Sequence, residues 1–304
     1  MSRKKIIFIT GPTATGKSDL ALALARRHRG EIVSCDSMQV YKEISIASNK
    51  PSKEELDEVP HHLLDVVSVT EDFDAAVYNR LANETITGIL RKDKLPVVCG
   101  GSGMYIQILL DGIFKEREKN PALREQLKKR AGKEGVRVLY EDLEKVDPSY
   151  AEKIHPNDLR RIIRALEVYH SHGVPFSSLQ RERQGLGEDY EIMLYGIEYP
   201  RQELYARINR RVDEMLEQGL VEEIKAVKGL PLSRTASAII GVREISAFLE
   251  GAQDLQEAKE QMKLNTRRFA KRQLTWFRRE DRLRWLDGLA LSRDEMVKKI
   301  EEDL

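Results

Sequence analysis

Short runs of consecutive apolar residues, each followed by glycine, an acid or a turn, recur along the chain between longer segments with apolar residues every three or four positions. Lys5–Thr10 (KIIFIT) is the first such run and predicts a buried strand. Lys17–His28 (KSDLALALARRH), rich in Ala and Leu and stopped by Gly30, predicts a helix. Further strands are predicted at Glu31–Asp36, Lys94–Gly101, Tyr190–Tyr199 and Arg282–Asp287. Strands alternating with helices imply a parallel sheet covered on both faces. Late helices are predicted at Arg201–Gln218, Glu222–Lys228 and Leu255–Arg279. The middle breaks the pattern. From 115 to 187 there is no strand, only charged helical segments such as PALREQLKKRAGKEG and PNDLRRIIRALEVYHSHG, the latter opening at Pro156–Asn157 and closing at Gly173. The fold class expected is therefore α/β: a core of the P-loop NTPase kind, with a parallel sheet flanked by helices, formed by 1–114 and 188–304, and a small all-helical insertion at 115–187.

Bulk composition narrows the classes without choosing among them. The chain has 304 residues, is 41% hydrophobic and 33% charged, and carries a net charge of +1, so any affinity for nucleic acid must be local. The N-terminal apolar run is shorter than the ~7–15 residues of a signal-peptide core, and nothing approaches the ~18 apolar residues of a membrane span. Cys35 and Cys99, each at a strand end and without metal-ligand spacing, are expected to be reduced thiols of a cytoplasmic protein. A monomer is the default expectation.

Candidate chemistry starts at GPTATGKS, Gly11–Ser18. Strand, Gly-x4-Gly-Lys-Ser and helix in that order form a phosphate-binding loop; chance gives the pattern in on the order of one chain in a hundred. Backbone N–H groups of Gly11, Pro12's neighbours Thr13 and Ala14, then Thr15, Gly16, Lys17 and Ser18 would surround a diphosphate, with the positive end of the helix behind them. Lys17 would neutralise charge and Ser18 could hold Mg²⁺ through its hydroxyl. An ATPase usually adds a carboxylate at the end of a hydrophobic strand, but the strand ending at Cys99 runs into GGSGMY, with no acid. The acid follows the second strand instead, in DSMQ: Asp36, Ser37, Met38, Gln39. In a parallel sheet these strand ends share one crevice. Asp as acceptor and Gln as donor–acceptor suit an amino-bearing base, although Asp36 is equally compatible with a helix N-cap or a loop acid.

At this point the residues resemble a known family. GPTATGKS, DSMQVYKEI, PHHLLDV, GGSGMYIQILLDG, Asp147–Pro148, PNDLRRIIRALEVYHSHG, RVDEMLEQGLVEEI, AIIGVREI and TRRFAKRQLTWFRR run almost end to end and resemble bacterial tRNA dimethylallyltransferases, also called tRNA isopentenyltransferases. The resemblance implies Mg²⁺-dependent transfer of a five-carbon unit from dimethylallyl diphosphate to N6 of the adenosine 3′ of the anticodon, with pyrophosphate released and no ATP. It implies Asp36 as the group accepting the N6 proton, Ser18 and Arg243 at the leaving diphosphate, and Asp36–Gln39 with Ser102 facing the tRNA. Ser102 stands where the family usually has threonine; EISIASNKP departs from the family's loop after VYK; Val242 replaces a common aromatic before Arg243.

An RNA-gripping surface should be basic. Between Lys263 and Arg284 there are nine Lys or Arg and two acids. Arg267, Lys271 and Arg278 share one helical stripe and Arg268, Arg272 and Arg279 the next, with Phe269, Trp276 and Phe277 interleaved; a solvated face is the plain alternative. Arg124, Arg160, Arg161 and Arg164 are the candidates in the insertion, where Arg161 and Arg164 could instead pair with Asp158 and Glu167. His61 and His62, adjacent and lacking a third ligand, are read as packing residues. The rivals are a small-molecule kinase of the same fold class and an isopentenyltransferase acting on free AMP or ADP.

Overall fold

The computed structural model describes residues 3–113, 120–181 and 183–304. The chain divides into two compact units, Met1–Leu109 with Asp189–Leu304, and Leu110–Glu188.

The first unit opens with β1 (Lys5–Thr10), α1 (Lys17–Arg27), β2 (Glu31–Ser34), α2 (Lys53–Glu58), β3 (His61–His62), α3 (Ala75–Arg91), β4 (Pro96–Gly100) and α4 (Gly103–Asp111). The second unit holds α5 (Pro121–Glu134), α6 (Val136–Val146), α7 (Pro148–Ala151), α8 (Leu159–His172), α9 (Phe176–Arg181) and most of α10 (Leu186–Asp189). The chain then returns through β5 (Glu191–Glu198), α11 (Arg201–Glu217), α12 (Leu220–Val227), α13 (Val242–Leu249), α14 (Leu255–Phe277), β6 (Arg284–Asp287) and α15 (Arg293–Glu301).

All six strands form one parallel sheet in the order β3-β2-β4-β1-β5-β6. The apolar runs are continuous rather than alternating because both faces are covered: Ile6, Ile7, Phe8 and Ile9 are all fully buried. Leu20, Ala21 and Leu24 of α1 join Val297 and Ile300 of α15 against one face. β3 was not expected. It is two histidines long, too short for periodicity to show, and exists because Ile32 and Val33 of β2 pair with it. His62 is anchored there by Glu31, 2.7 Å from its Nε2.

In the second unit the apolar stripes of α5, α6 and α8 meet around Leu127, Leu139, Leu143, Ile162 and Leu166. Asp147 is buried because its carboxylate accepts from two backbone N–H groups, Tyr150 at 3.1 Å and Ser177 at 2.7 Å, which accounts for the Asp-Pro pair. α8 begins at Leu159, later than the expected Pro156–Asn157, since the Asp158 carboxylate caps it through Arg161 N. Gly173 ends it in the left-handed region, φ 70°. Among the described residues no helix is long and apolar enough to cross a membrane.

The second unit is pinned by a buried carboxylate. Glu167, 1% exposed, accepts from Asn120 N (2.9 Å) and faces Arg124 Nε and Arg164 Nη1, each at 2.8 Å. Burial alone would raise its pKa; the hydrogen bonds from Arg124 and Arg164 outweigh burial and hold it below the usual carboxylate range. Its contribution to stability is therefore present above an unfolded-state pKa of about 4.3 and is lost as pH falls through the lower folded value. Glu167→Ala should lower the opening free energy of α5 and α8 by about 3 kcal/mol at pH 7, measured by amide hydrogen exchange in the full chain. The difference from wild type should shrink in acid; a gap under about 1 kcal/mol at neutral pH would show that the arginines do not depend on Glu167.

Candidate diphosphate and acceptor site

The Gly11–Ser18 loop curls between β1 and α1. Gly16 is the N-cap of α1 in the left-handed conformation, φ 84°, and no side chain caps that helix. The first N–H groups of α1 are thus left for a ligand, with the helix dipole directed at it. The loop is braced from outside by two distant helices. On α11, Arg207 Nε donates to Ala14 O at 2.8 Å and Arg211 Nη1 donates to Thr13 Oγ1 at 2.9 Å. On α14, the Gln273 carboxamide oxygen accepts from Thr13 N at 2.9 Å.

The turn after β2 faces this loop. Asp36 Oδ1 accepts from Met38 N at 2.9 Å, so the carboxylate shapes its own turn. Ser37 N donates to Ser102 Oγ at 3.0 Å, tying the DSMQ turn to the GGSG segment after β4. That contact needs the Ser102 hydroxyl, which threonine would equally supply. Gln39 is fully engaged: its Oε1 accepts from Ser34 Oγ at 2.8 Å and its Nε2 donates to Asn49 O at 2.8 Å.

The unusual 43–50 loop is held from below. Glu223 of α12 accepts from three successive backbone N–H groups, Ser45 (2.6 Å), Ile46 (2.7 Å) and Ala47 (2.9 Å). Lys50 Nζ donates to Tyr41 O and pairs with Asp65. Asn49, the partner of Gln39, is thereby fixed.

Three cavities adjoin at these elements. One of about 70 Å³ brings together Lys17, Ser18, Asp36, Gln39, Arg211 and Gln273. A second of about 310 Å³ is mainly apolar, with Ile208, Val212, Met215, Ile239, Met262 and Phe269 around Asp36 and Met38. A third of about 310 Å³ is polar and joins Gly16, Lys17 and Ser18 to Arg207, Arg210 and Arg211. Burial pushes Lys17 below the usual lysine range; the Arg211 charge pushes the same way, and Asp36 opposes both. Burial likewise lowers Arg211, with Asp36 opposing. Glu214 opposes it too, but with Arg207 and Arg210 beside Lys17 and Arg211 in the polar cavity the cations still outnumber the carboxylates, an excess that a multiply charged anion would neutralise.

The expected site residues do not all converge. The loop, Ser18, Asp36, Ser37, Met38, Gln39 and Ser102 belong to this region. Arg243 is exposed on the first turn of α13 and lines none of the three cavities. Arg268, Lys271 and Arg272 are exposed on α14. Arg267 is half-buried, donating to Asn209 Oδ1 at 3.0 Å. α14 ends at Phe277, so Arg278 caps it and Arg279 lies beyond the expected stripe. In the second unit Arg160 and Arg161 are exposed, Arg161 also lying 3.5 Å from Asp158 as its spacing allowed, whereas Arg124 and Arg164 turn to Glu167. Sequence reasoning missed Arg207, Arg211, Gln273 and Glu223. Arg207 and Arg211 are spaced i, i+4 on α11, which alone could have marked a common face.

The chain thus has an α/β core in which the phosphate loop opens toward a carboxylate and an apolar cavity. The model of the IPP transferase family matches residues 39–280, and the chain belongs to that family. It is 44% identical over 285 residues to the tRNA dimethylallyltransferase of Halothermothrix orenii, covering 93% of this chain and 87% of that one. Over 305 residues it is 42% identical to the enzyme of the same name from Natranaerobius thermophilus, covering 99% and 91%. Among solved structures, the full-length tRNA isopentenylpyrophosphate transferase of Bacillus halodurans matches with a TM-score of 0.73 and 37% identity over 99% of this chain and 95% of that one. A eukaryotic dimethylallyltransferase crystallised acting on tRNA matches with a TM-score of 0.83 and 30% identity, covering 98% of this chain and 77% of that one.

Both cysteines border the site as free, buried thiols. Burial raises Cys35 strongly and pushes Cys99 up to about 11 despite the adjacent Lys17 charge. At pH 7 both should resist iodoacetamide in the native protein and react once it is unfolded, as read by mass spectrometry. Rapid native labelling of Cys99 would mean that Lys17 holds it as a thiolate.

Proposed function

We propose that this chain transfers the dimethylallyl group of dimethylallyl diphosphate to N6 of the adenosine 3′ of the anticodon in tRNA, releasing pyrophosphate. The observation that carries the reading is the placement of Asp36 where the cationic loop cavity meets the apolar one. The apolar cavity suits the prenyl unit, and the loop with Lys17 and Arg211 suits the diphosphate.

The reaction needs three things. The C1–O bond of the donor must break, so negative charge develops on the diphosphate; Lys17, Arg211 and the α1 N-terminus meet that charge already ordered. The adenine N6 lone pair, delocalised into the ring, then bonds to C1. As this bond forms the N6 proton becomes acidic, and Asp36 takes it.

The donor set also suits Mg²⁺. Ser18 and Asp36 offer hard oxygens in one cavity, and among the described residues no group of three or more His, Cys, Asp or Glu is gathered for a metal. That matches an ion carried largely by phosphate and water, with Ser18 as its protein ligand. Bound there, Mg²⁺ would neutralise diphosphate charge.

The exposed Arg268, Lys271 and Arg272 of α14 are assigned to tRNA phosphates, as are Arg160 and Arg161 of the helical unit, which serves as the anticodon-arm module. Arg124 and Arg164 shape that module through Glu167. Ser37, Met38 and Ser102 form the floor on which the base lies; Gln39 reads it only after releasing Asn49 or Ser34. Arg243 is kept as a third cation for the leaving group, beside Lys17 and Arg211. A kinase reading explains the loop but gives the apolar cavity and the basic helix no task.

Purified protein with unmodified tRNA, Mg²⁺ and labelled donor, without ATP, should yield a five-carbon adduct on adenosine. Asp36→Ala should lower turnover by roughly 10²–10⁴-fold. Arg211→Ala and Arg243→Ala should each lower it by about 10²–10³-fold. An unchanged rate in Arg243→Ala removes that residue from the leaving-group site. ATP hydrolysis with no adduct would overturn the whole assignment. Lys271→Ala should weaken tRNA binding and reduce the slope of log affinity against log salt by about 1; an unchanged slope would make α14 a solvated face.

A further inference from the structure

Gln273 is a buried carboxamide, 7% exposed, near the C-terminal end of the basic helix α14, directly after the exposed Lys271 and Arg272. A buried amide is unfavourable unless its polar atoms are paired. Both of its polar atoms are paired, and each is bonded to a different loop of the site. Oε1 accepts from Thr13 N in the phosphate loop at 2.9 Å, and Nε2 donates to Gly101 O after β4 at 2.9 Å. The fit is close: a Cβ on Gly101 would lie under 3.0 Å from Gln273 Nε2, so the amide keeps this position only because residue 101 is glycine.

These bonds are two links of a longer path. Beyond Gly101, the Ser102 hydroxyl accepts from Ser37 N, next to Asp36. At the other end the Thr13 hydroxyl accepts from Arg211. The path from the cation to the carboxylate therefore passes through Gln273. An apolar side chain of the same length would fill the space equally well, but it would leave the two loops unjoined.

We propose that Gln273 is a positioning residue that fixes the diphosphate loop against the acceptor turn, so that the basic helix sets the distance across which the new C–N bond forms. The idea rests on the transferase reading above. It predicts a defect in product choice as well as in rate. Without the tie, Lys17 and Arg211 still promote cleavage of the C1–O bond, but N6 is misplaced. Water then bonds to C1 and loses a proton to solvent, giving dimethylallyl alcohol and pyrophosphate instead of modified adenosine.

The test compares wild type, Gln273→Met, which keeps the length and loses both bonds, and Gln273→Glu, which keeps the acceptor for Thr13 N and loses the donor to Gly101. Alcohol and modified adenosine are quantified with labelled donor, alongside kcat, KM for donor and tRNA, and the thermal midpoint. In Gln273→Met we expect kcat to fall by at least about 30-fold, each KM to change by less than about 3-fold, and the ratio of alcohol to adduct to rise by at least about 10-fold; Gln273→Glu should show a smaller rise. If one variant does not fold, the other decides. A lower thermal midpoint with an unchanged product ratio makes Gln273 merely structural and overturns the proposal, as does an unchanged kcat. Failure of the wild type to form any adduct instead overturns the transferase reading, so the two failures are distinguishable.

Discussion

Two half-buried cations, Lys17 and Arg211, gathered around the carboxylate of Asp36 organise this molecule. Lys17 and Arg211 both lose basicity to burial; Asp36 opposes the loss at both, joined at Arg211 by Glu214. Such a cluster is unfavourable on its own, because removing a cation from water needs a partner charge or hydrogen bonds to compensate. It persists because the surroundings are rigid. Lys17 starts α1, Arg211 sits within α11 and Asp36 follows a fully paired strand. Rigid placement is what permits charge stabilisation without reorganisation, so the strain of holding the cations apart from solvent is the same property that makes the site useful.

The sheet order explains why the cluster forms where it does. β1 and β2 are not neighbours; β4 lies between them. The loop after β1 and the turn after β2 therefore open on the same edge with the GGSG segment between, close enough for Ser102 and Gln273 to bridge them. Inserting β4 leaves a crevice that a direct β1–β2 pairing would close, which is the general reason ligands collect where strand order reverses.

What could be read from residues alone was local. The phosphate loop, the strand runs, the strandless middle and the acid in DSMQ all appear within short windows, where backbone sterics and periodicity decide the outcome. What could not be read was long-range. Arg211 and Thr13 are 198 positions apart, Gln273 and Thr13 260 apart, and no local pattern announces such partners. Basic residues illustrate the difference. The pairings of Arg161 with Asp158 and of Arg164 with Glu167 were legible from their spacing along one helix, but Arg124, which reaches the same buried Glu167 from another helix, looked no different from Arg160 in the sequence. Gln39 fits the same account: its amide suits a base edge by type, but Ser34 and Asn49 already occupy it.

The EISIASN loop is held by a residue far away in the chain. Glu223, within the stretch RVDEMLEQGLVEEI, gathers three successive N–H groups of Ser45, Ile46 and Ala47 on one carboxylate. An ionised acceptor holding several backbone donors is among the stronger neutral-pH anchors available to a protein surface. Because Asn49 follows immediately and holds Gln39, the anchor reaches the acceptor turn. One carboxylate on α12 thus reaches, through Asn49 and Gln39, the turn that carries Asp36.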